Sequence, residues 1–475
     1  MTMSRCLPFG LIGWLALVGC TAVPIDSLPP PRPLGADLGS GPAGEPASAV
    51  TDAPTSRPVP AEPTGELTLR RALALALAGN PELAGFSWAV RMAEADRIQA
   101  ALPPNPELEA EFENFAGTGE FRGTRALETT VALGQVIELG GKRRARMRLA
   151  DRESRLAGWD YEAKRLAVLT DVTKQFIGVL ALQGQLAFAR RGLDLARQTR
   201  QAVARRVGAG KAVATEESKA AVAVASARIA VRRTERKLKA AGISLAATWG
   251  GRGAKFTRAI GQLGEPGPLP PLGPLIAKLA QNPDVARWSA EIARHRSAVE
   301  AERANGVPDV EVGVGYRHFR ETEDNDRAML VTVAIPLPIF DRNQSGVRKA
   351  SFALLKARAD QRAAEVRARA DLEAAWQELA ASHEEAVSLR DEVLPAARAS
   401  YEAAGKLFAA GKTDYLDMLD AQQTLMDATA QHVDALAAYH QAVADVEGLI
   451  GQRLETTDNA ETRTPSEEPS HAKQP

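Results

Sequence analysis

The residues whose types and spacing suit chemistry are carboxylates. Asp417, Asp420, Thr424, Asp427, Gln431 and Asp434 recur at alternating intervals of three and four, so on a helix they share one face. A second acidic set follows an extended pattern. Glu109, Glu111 and Glu113 alternate with Leu108, Ala110 and Phe112, and Glu128 alternates with Leu127 and Thr129. Repeated in this way, carboxylates make a surface that attracts cations rather than an acid–base pair, and around a symmetric pore each position becomes a ring. A solvated outer face carries the same pattern, and spacing alone leaves both readings open.

No other constellation suggests catalysis. The six histidines and two cysteines have no ligand spacing, so no protein-built metal site, cofactor or enzyme activity is expected. His432 and His440 lie eight apart and read as solvated or interhelical side chains. The basic run Lys142-Arg143-Arg144, with Arg146 and Arg148, reads as a solvated helix start rather than a phosphate site. Lys+Arg 59 against Asp+Glu 59 gives no sign of a nucleic-acid partner.

The elements that must position the carboxylates are long helices and short alternating segments. Helical patterns run over 68–102, interrupted at Asn80-Pro81, then 142–207, a break at Gly208 and Gly210, and on to 248. Later patterns cover 344–410 and, beyond Gly411, continue to 450. The stretch 142–207 alone would span about 100 Å at 1.5 Å per residue. In the last helix Leu419, Met426 and Val433, then Leu436, Val443 and Ile450, recur at seven and suggest a packing seam. Between helices, Leu127, Thr129, Val131 and Leu133 share a strand face. So do Val310, Val312, Val314 and Tyr316, and Met329, Val331, Val333 and Ile335. Period two over this length suits membrane strands with an apolar lipid face and a polar lumen, or a soluble sheet with one wet face. The polar turns 117–123 and 321–326 would be the extracellular loops. Four strands cannot close a barrel, so strands from partner chains are needed.

The chain repeats one plan. Asn80-Pro81-Glu82-Leu83 matches Asn282-Pro283-Asp284-Val285. Pro106-Glu107-Leu108-Glu109 matches Pro308-Asp309-Val310-Glu311 at the same offset of 202, and Gly210-Lys211 matches Gly411-Lys412 at 201. The first-copy counterparts of the acidic stripe are Glu216, Lys219, Ala223, Ser226, Ala230 and Arg233, so only the second copy is mainly acidic there.

At the start, Arg5 and the apolar residues 7–18 have a signal-peptide layout, and Leu17-Val18-Gly19-Cys20 resembles a bacterial lipobox. Lipidation is expected at Cys20, with Cys6 removed in the leader. No aspartate follows Cys20 to hold the chain in the inner membrane. The expected organisation is a leader over 1–19 and a lipid-anchored flexible linker over 20–65. The first repeat then occupies 66–250, an inter-repeat linker 251–273, the second repeat 274–452 and a disordered tail 453–475. No later segment reads as about 18 consecutive apolar residues, so any membrane crossing is expected through strands.

The lipobox, the duplication, the proline-flanked strands and the segment 407–423 (LFAAGKTDYLDMLDAQQ) together resemble the TolC-like outer membrane efflux factors over nearly all of the mature chain. Leu102-Pro103-Pro104-Asn105-Pro106-Glu107-Leu108 and Gln135-Val136-Ile137-Glu138-Leu139-Gly140-Gly141-Lys142-Arg143 are similar to the heavy-metal branch, the CzcC-like partners of cation efflux pumps. The resemblance implies a mainly α fold with a β-barrel part. Long antiparallel helices would form a periplasmic α-barrel, and each chain of a homotrimer would give four strands to a twelve-stranded barrel. Pro336 and Pro338 fall where such proteins turn from barrel to helix. It also implies a passive exit duct in outer-membrane lipid, working with a periplasmic adaptor and an inner-membrane RND-type pump. Asp417 and Asp420 match the family's paired aspartates at the periplasmic gate. Phe408 and Thr413 stand where the family's gate has a tyrosine and an arginine. Glu109, Glu111, Glu113, Glu128, Asp427 and Asp434 would then line the lumen. A multidrug or type I secretion duct of the same fold, and a structural periplasmic coiled-coil lipoprotein, are the alternatives; the alternating strands oppose the latter.

Overall fold

The computed structural model describes residues 62–320 and 325–454. Cys20 and the leader, most of the proposed linker, residues 321–324 of the second turn and the tail from 455 lie outside the described residues. In chain order the elements are β1 (Gly65–Thr68), α1 (Leu69–Gly79), α2 (Pro81–Ala100), β2 (Glu107–Glu113), β3 (Glu128–Ile137), α3 (Lys142–Gly208), α4 (Ala214–Ala247), β4 (Phe256–Ile260), α5 (Leu272–Lys278), α6 (Pro283–Asn305), β5 (Val310–Arg320), β6 (Asn325–Ala334), α7 (Gln344–Ser388), α8 (Leu394–Ala409) and α9 (Tyr415–Ile450).

The repeated Asn-Pro pairs do the same work in both copies. Asn80 Oδ1 accepts from Leu83 N at 2.8 Å, capping α2, while its Nδ2 donates to Thr248 O at 2.7 Å. Asn282 Oδ1 accepts from Asp284 N at 2.7 Å, and its Nδ2 donates to Gly448 O at 3.0 Å and Leu449 O at 2.8 Å. Each asparagine thus caps one helix and satisfies end carbonyls of the last helix of its own copy.

Pro103 and Pro104 prevent α2 from continuing, and arginines satisfy its last carbonyls. Arg143 Nε donates to Ala101 O at 2.6 Å; Arg146 donates to Ala100 O at 3.1 Å and Leu102 O at 3.0 Å. The basic run is therefore more than a solvated helix start: part of it is a C-terminal cap, where cations are favoured.

The two hairpins join into one antiparallel sheet of order β2-β3-β5-β6. The register puts Leu108, Leu133, Val314 and Val331 in one cross-strand row, and Ala110, Val131, Tyr316 and Met329 in the next. This apolar face is bare: Leu108 is 75% and Met329 80% exposed. Below the sheet, α2, α3, α6 and α7 lie side by side in the same order, and further down the neighbours are α4, α3, α9 and α7. The upper seam between the copies is a ladder of ions: Arg148–Glu300 at 3.1 Å, Arg294–Glu153 at 3.9 Å and Arg287–Asp160 at 2.7 Å.

Three expectations are refined by packing. Residues 251–273 are not only a connection: β4 pairs in parallel with β1, burying Leu67 and Ala259 against Val172, Phe176 and Trp249. Residues 344–410 do not form one uniform helix. A π turn at Leu389–Val393 separates α7 from α8; Pro395 has no N–H to donate one turn back, and the extra residue absorbs the mismatch. The seam of α9 is also shifted. Leu436 and Ile450 are buried as expected, and so are Ala421, Ala428, Ala435 and Ala442, seven apart, whereas Leu419, Met426, Val433 and Val443 are only half-buried. Small residues win the centre because α3 comes close there: a Cβ on Gly192 would meet the Met426 side chain.

One 18-residue stretch of α3 is long and apolar enough to cross a membrane, but it is not a run of consecutive apolar residues and 44% of it is buried. Leu169, Val172, Phe176 and Val179 of α3 belong to the core, which accounts for its hydropathy.

Candidate functional site

The two lower hairpins are built alike. Lys211 N donates to Arg206 O at 2.8 Å and Gly210 N to Val207 O at 2.9 Å; Lys412 N donates to Leu407 O at 2.9 Å and Gly411 N to Phe408 O at 3.1 Å. These are paired Schellman ends, and Gly210 and Gly411 take the positive φ that they require, 68° and 71°. Asp414 then starts α9, its Oδ1 accepting from Asp417 N at 3.1 Å. Tyr415 is 1% exposed and packs with Val203, Ala220 and Phe408. The Arg206 guanidinium lies 4.5 Å from the Phe408 ring centroid, joining the two hairpins within the chain.

This scaffold leaves the acidic stripe outward. Asp417, Asp420, Thr424, Asp427, Gln431 and Asp434 are all exposed. The Thr413 hydroxyl donates to Asp417, so Thr413 braces that aspartate within its own chain. No lysine or arginine among the described residues pairs with Asp417, Asp420 or Asp427. Asp434 accepts from the Gln185 amide of α3. One further stripe position, Asp445, is held by Lys174 at 2.7 Å. Gln185, Lys174 and Asp445 were missed, although the three-and-four interval continues from Asp434 through Ala438 and Gln441 to Asp445.

The strand carboxylates share one face, as alternation requires. The register aligns Glu109 with Ala132 and Gly315, Glu111 with Thr130 and Arg317, and Glu113 with Glu128 and Phe319. Glu128 differs from the others. It is 8% exposed and ion-paired with Arg317 at 2.5 Å, and Arg317 Nε also donates to Thr130 Oγ1 at 2.9 Å. Its charge is therefore neutralised inside one chain. Glu109, Glu111 and Glu113 are exposed.

Two histidines hold structure. His440 Nε2 is 2.9 Å from Gly264 O and His383 Nε2 is 3.0 Å from Gly267 O, while the Tyr439 hydroxyl accepts from Gly267 N at 3.2 Å. They fasten the connection between the copies. Among the described residues no cluster of three His, Cys, Asp or Glu could hold a metal.

Comparison with known proteins gives the same architecture. The chain is 36% identical over 394 residues to the cobalt-zinc-cadmium resistance protein CzcC of Cupriavidus metallidurans, covering 83% of this chain and 92% of that one. It is 27% identical over 282 residues to the nickel and cobalt resistance protein CnrC of the same organism, covering 59% and 65% of the two. A solved structure of CusC superposes with a TM-score of 0.69 at 16% identity, over 81% of this chain and 92% of that one. Residues 72–251 and 277–452 match the outer membrane efflux protein family, and the chain belongs to that family.

Proposed function

We propose that this chain is the outer-membrane exit duct of a tripartite pump that expels heavy-metal cations. The observation that carries the reading is the sheet: four strands, one bare apolar face and free outer edges on β2 and β6. In lipid each unpaired backbone group costs several kcal/mol, so open edges must close. Three copies joined head to tail give twelve strands and a closed ring. The helical wall offers matching edges. At the upper level Trp88 and Met92 are bare on α2, and Phe352, Leu355 and Val366 are bare on α7 at the opposite side. The metal-resistance relatives favour metal cations as cargo, and the exposed Glu109, Glu111, Glu113, Asp417, Asp420, Asp427 and Asp434 suit them.

In this reading the strands sit in outer-membrane lipid, Cys20 carries the acyl anchor and the lower hairpins meet a periplasmic adaptor. An inner-membrane RND-type pump supplies the energy. A strain whose cation pump lacks its outer duct tests this. Expression of the chain with the cognate pump and adaptor should restore zinc, cobalt or cadmium tolerance and yield a crosslinked trimer. Insertion without restored tolerance to any of these ions would contradict the cargo; a stable inserted monomer would contradict the barrel.

A further inference from the structure

The apolar face of the sheet does not stop where the strands stop. β6 ends at Ala334, yet Ile335, Leu337, Ile339 and Phe340 continue bare, with Phe340 89% exposed. The loop that carries them is tied. Arg342 Nε donates to Pro338 O at 3.0 Å, Gln344 Nε2 to Phe340 O at 3.0 Å, and Arg342 N to Gln344 Oε1 at 2.8 Å. Pro336 and Pro338 fix two of its backbone angles. A held loop displaying four large apolar side chains marks an interaction surface.

Cations lie immediately beyond it. Arg348 and Lys349 are in the first turns of α7, Arg144 is in the first turn of α3, and Arg303 is near the end of α6. All four are exposed, and none is ion-paired among the described residues. The loop's own carboxylate, Asp341, accepts from Asn343 N at 2.8 Å. Apolar side chains followed by unpaired cations are the order met on leaving an acyl layer through its headgroups.

We infer that residues 335–340 form a wedge in the inner leaflet of the outer membrane, with phospholipid acyl chains against Leu337, Ile339 and Phe340 and anionic phosphodiester headgroups on Arg348 and Lys349. The inference rests on the barrel reading, because it continues that lipid face. Continuity with the sheet and charge complementarity identify the occupant as anionic phospholipid. The wedge adds a lipid preference to the duct, and it fixes the depth at which the barrel gives way to helix.

The test uses the full chain with Phe340→Trp or, separately, Leu337→Trp. Each is reconstituted in phosphatidylcholine vesicles with and without phosphatidylglycerol, with acyl chains brominated near the headgroup. The emission added over wild type should fall about twofold in brominated vesicles and resist aqueous iodide. Arg348→Glu with Lys349→Glu should abolish the preference for phosphatidylglycerol vesicles and leave insertion into phosphatidylcholine unchanged. Quenching by iodide alone would put the loop in water, and quenching by neither would put it under the adjoining copy; either overturns the wedge. An unchanged lipid preference in the charge variant overturns the headgroup contact. Ion flux through the same vesicles separates the readings: flux without bromine quenching sinks the wedge alone, and loss of both sinks the barrel too.

Discussion

Lys174 of α3 reaches both oxygens of Asp445 on α9, at 2.8 and 2.7 Å, and so closes the run of carboxylates that begins at Asp417. The pair joins the first copy to the second. Both side chains are more than a third exposed, so the bridge contributes under about 1 kcal/mol. Lys174→Gln should leave thermal stability within that range while freeing one carboxylate per chain. In reconstituted channels the reversal potential under a salt gradient should move further toward cation preference. No movement would mean that the stripe lies off the conduction path.

Gly140 and Val307 meet where the sheet joins the helices. Gly140 has φ 65°, and a Cβ there would lie 2.6 Å from Val307 Cβ. Val is branched at that atom and cannot swing aside. Gly140→Ala should therefore combine left-handed strain with overpacking, a loss of about 1–3 kcal/mol. Gly141, at φ 72°, has open space beside it, and Gly141→Ala should cost less. Denaturant melts of the detergent-solubilised protein compare the two; equal losses would remove the packing argument.

The asparagine clasp gives a graded series. Asn282 makes one cap bond and two amide bonds to the end of α9. Asn282→Ala should cost about 1–2 kcal/mol or more, because a cap and two donors to end carbonyls are lost. Asn282→Asp keeps the cap acceptor and should fall between wild type and alanine in melting temperature. If the aspartate variant matches wild type, the donated bonds contribute nothing.

Much of this fold was legible because its punctuation is chemical. Pro103-Pro104 stops a helix, Gly210 and Gly411 mark chain reversals that glycine makes easily, and the strand faces follow from strict alternation. What stayed hidden depended on distance in the chain. β4 is five residues long and acquires its meaning only from β1, far upstream. The alanine seam of α9 carries little hydropathy and is fixed by the close approach of α3. In the site, exposure of the acidic stripe followed from its period. The neutralisation of Glu128 by Arg317 did not, because the register across β3 and β5 brings together residues from different copies.

Glu447 gives a pH signature. Burial pushes its carboxyl above the usual 4.5, against a hydrogen bond from Leu454 N at 2.9 Å. A carboxyl whose folded value is raised favours the fold while protonated. That contribution is complete below the unfolded value and is lost as pH rises through it toward the folded one. Glu447→Gln retains the acceptor and removes the charge. Its melting temperature should exceed wild type at neutral pH, with the difference closing below about pH 4, where both side chains are neutral. A constant difference across pH would point to packing instead.

Asp417 and Asp420 are where a cation duct would be narrowest and most acidic. They sit on one turn of α9, exposed and without a cation partner among the described residues, and a trimer would gather six such carboxylates at the periplasmic mouth. The measurement is single-channel recording of wild type and of Asp417→Ala with Asp420→Ala, with a trivalent metal ion added from the periplasmic side. A mouth lined by these carboxylates gives a cation-preferring wild-type channel that the ion blocks, and a double variant with higher conductance and weaker block. Anion preference in the wild type, or unchanged conductance and block in the variant, would contradict it.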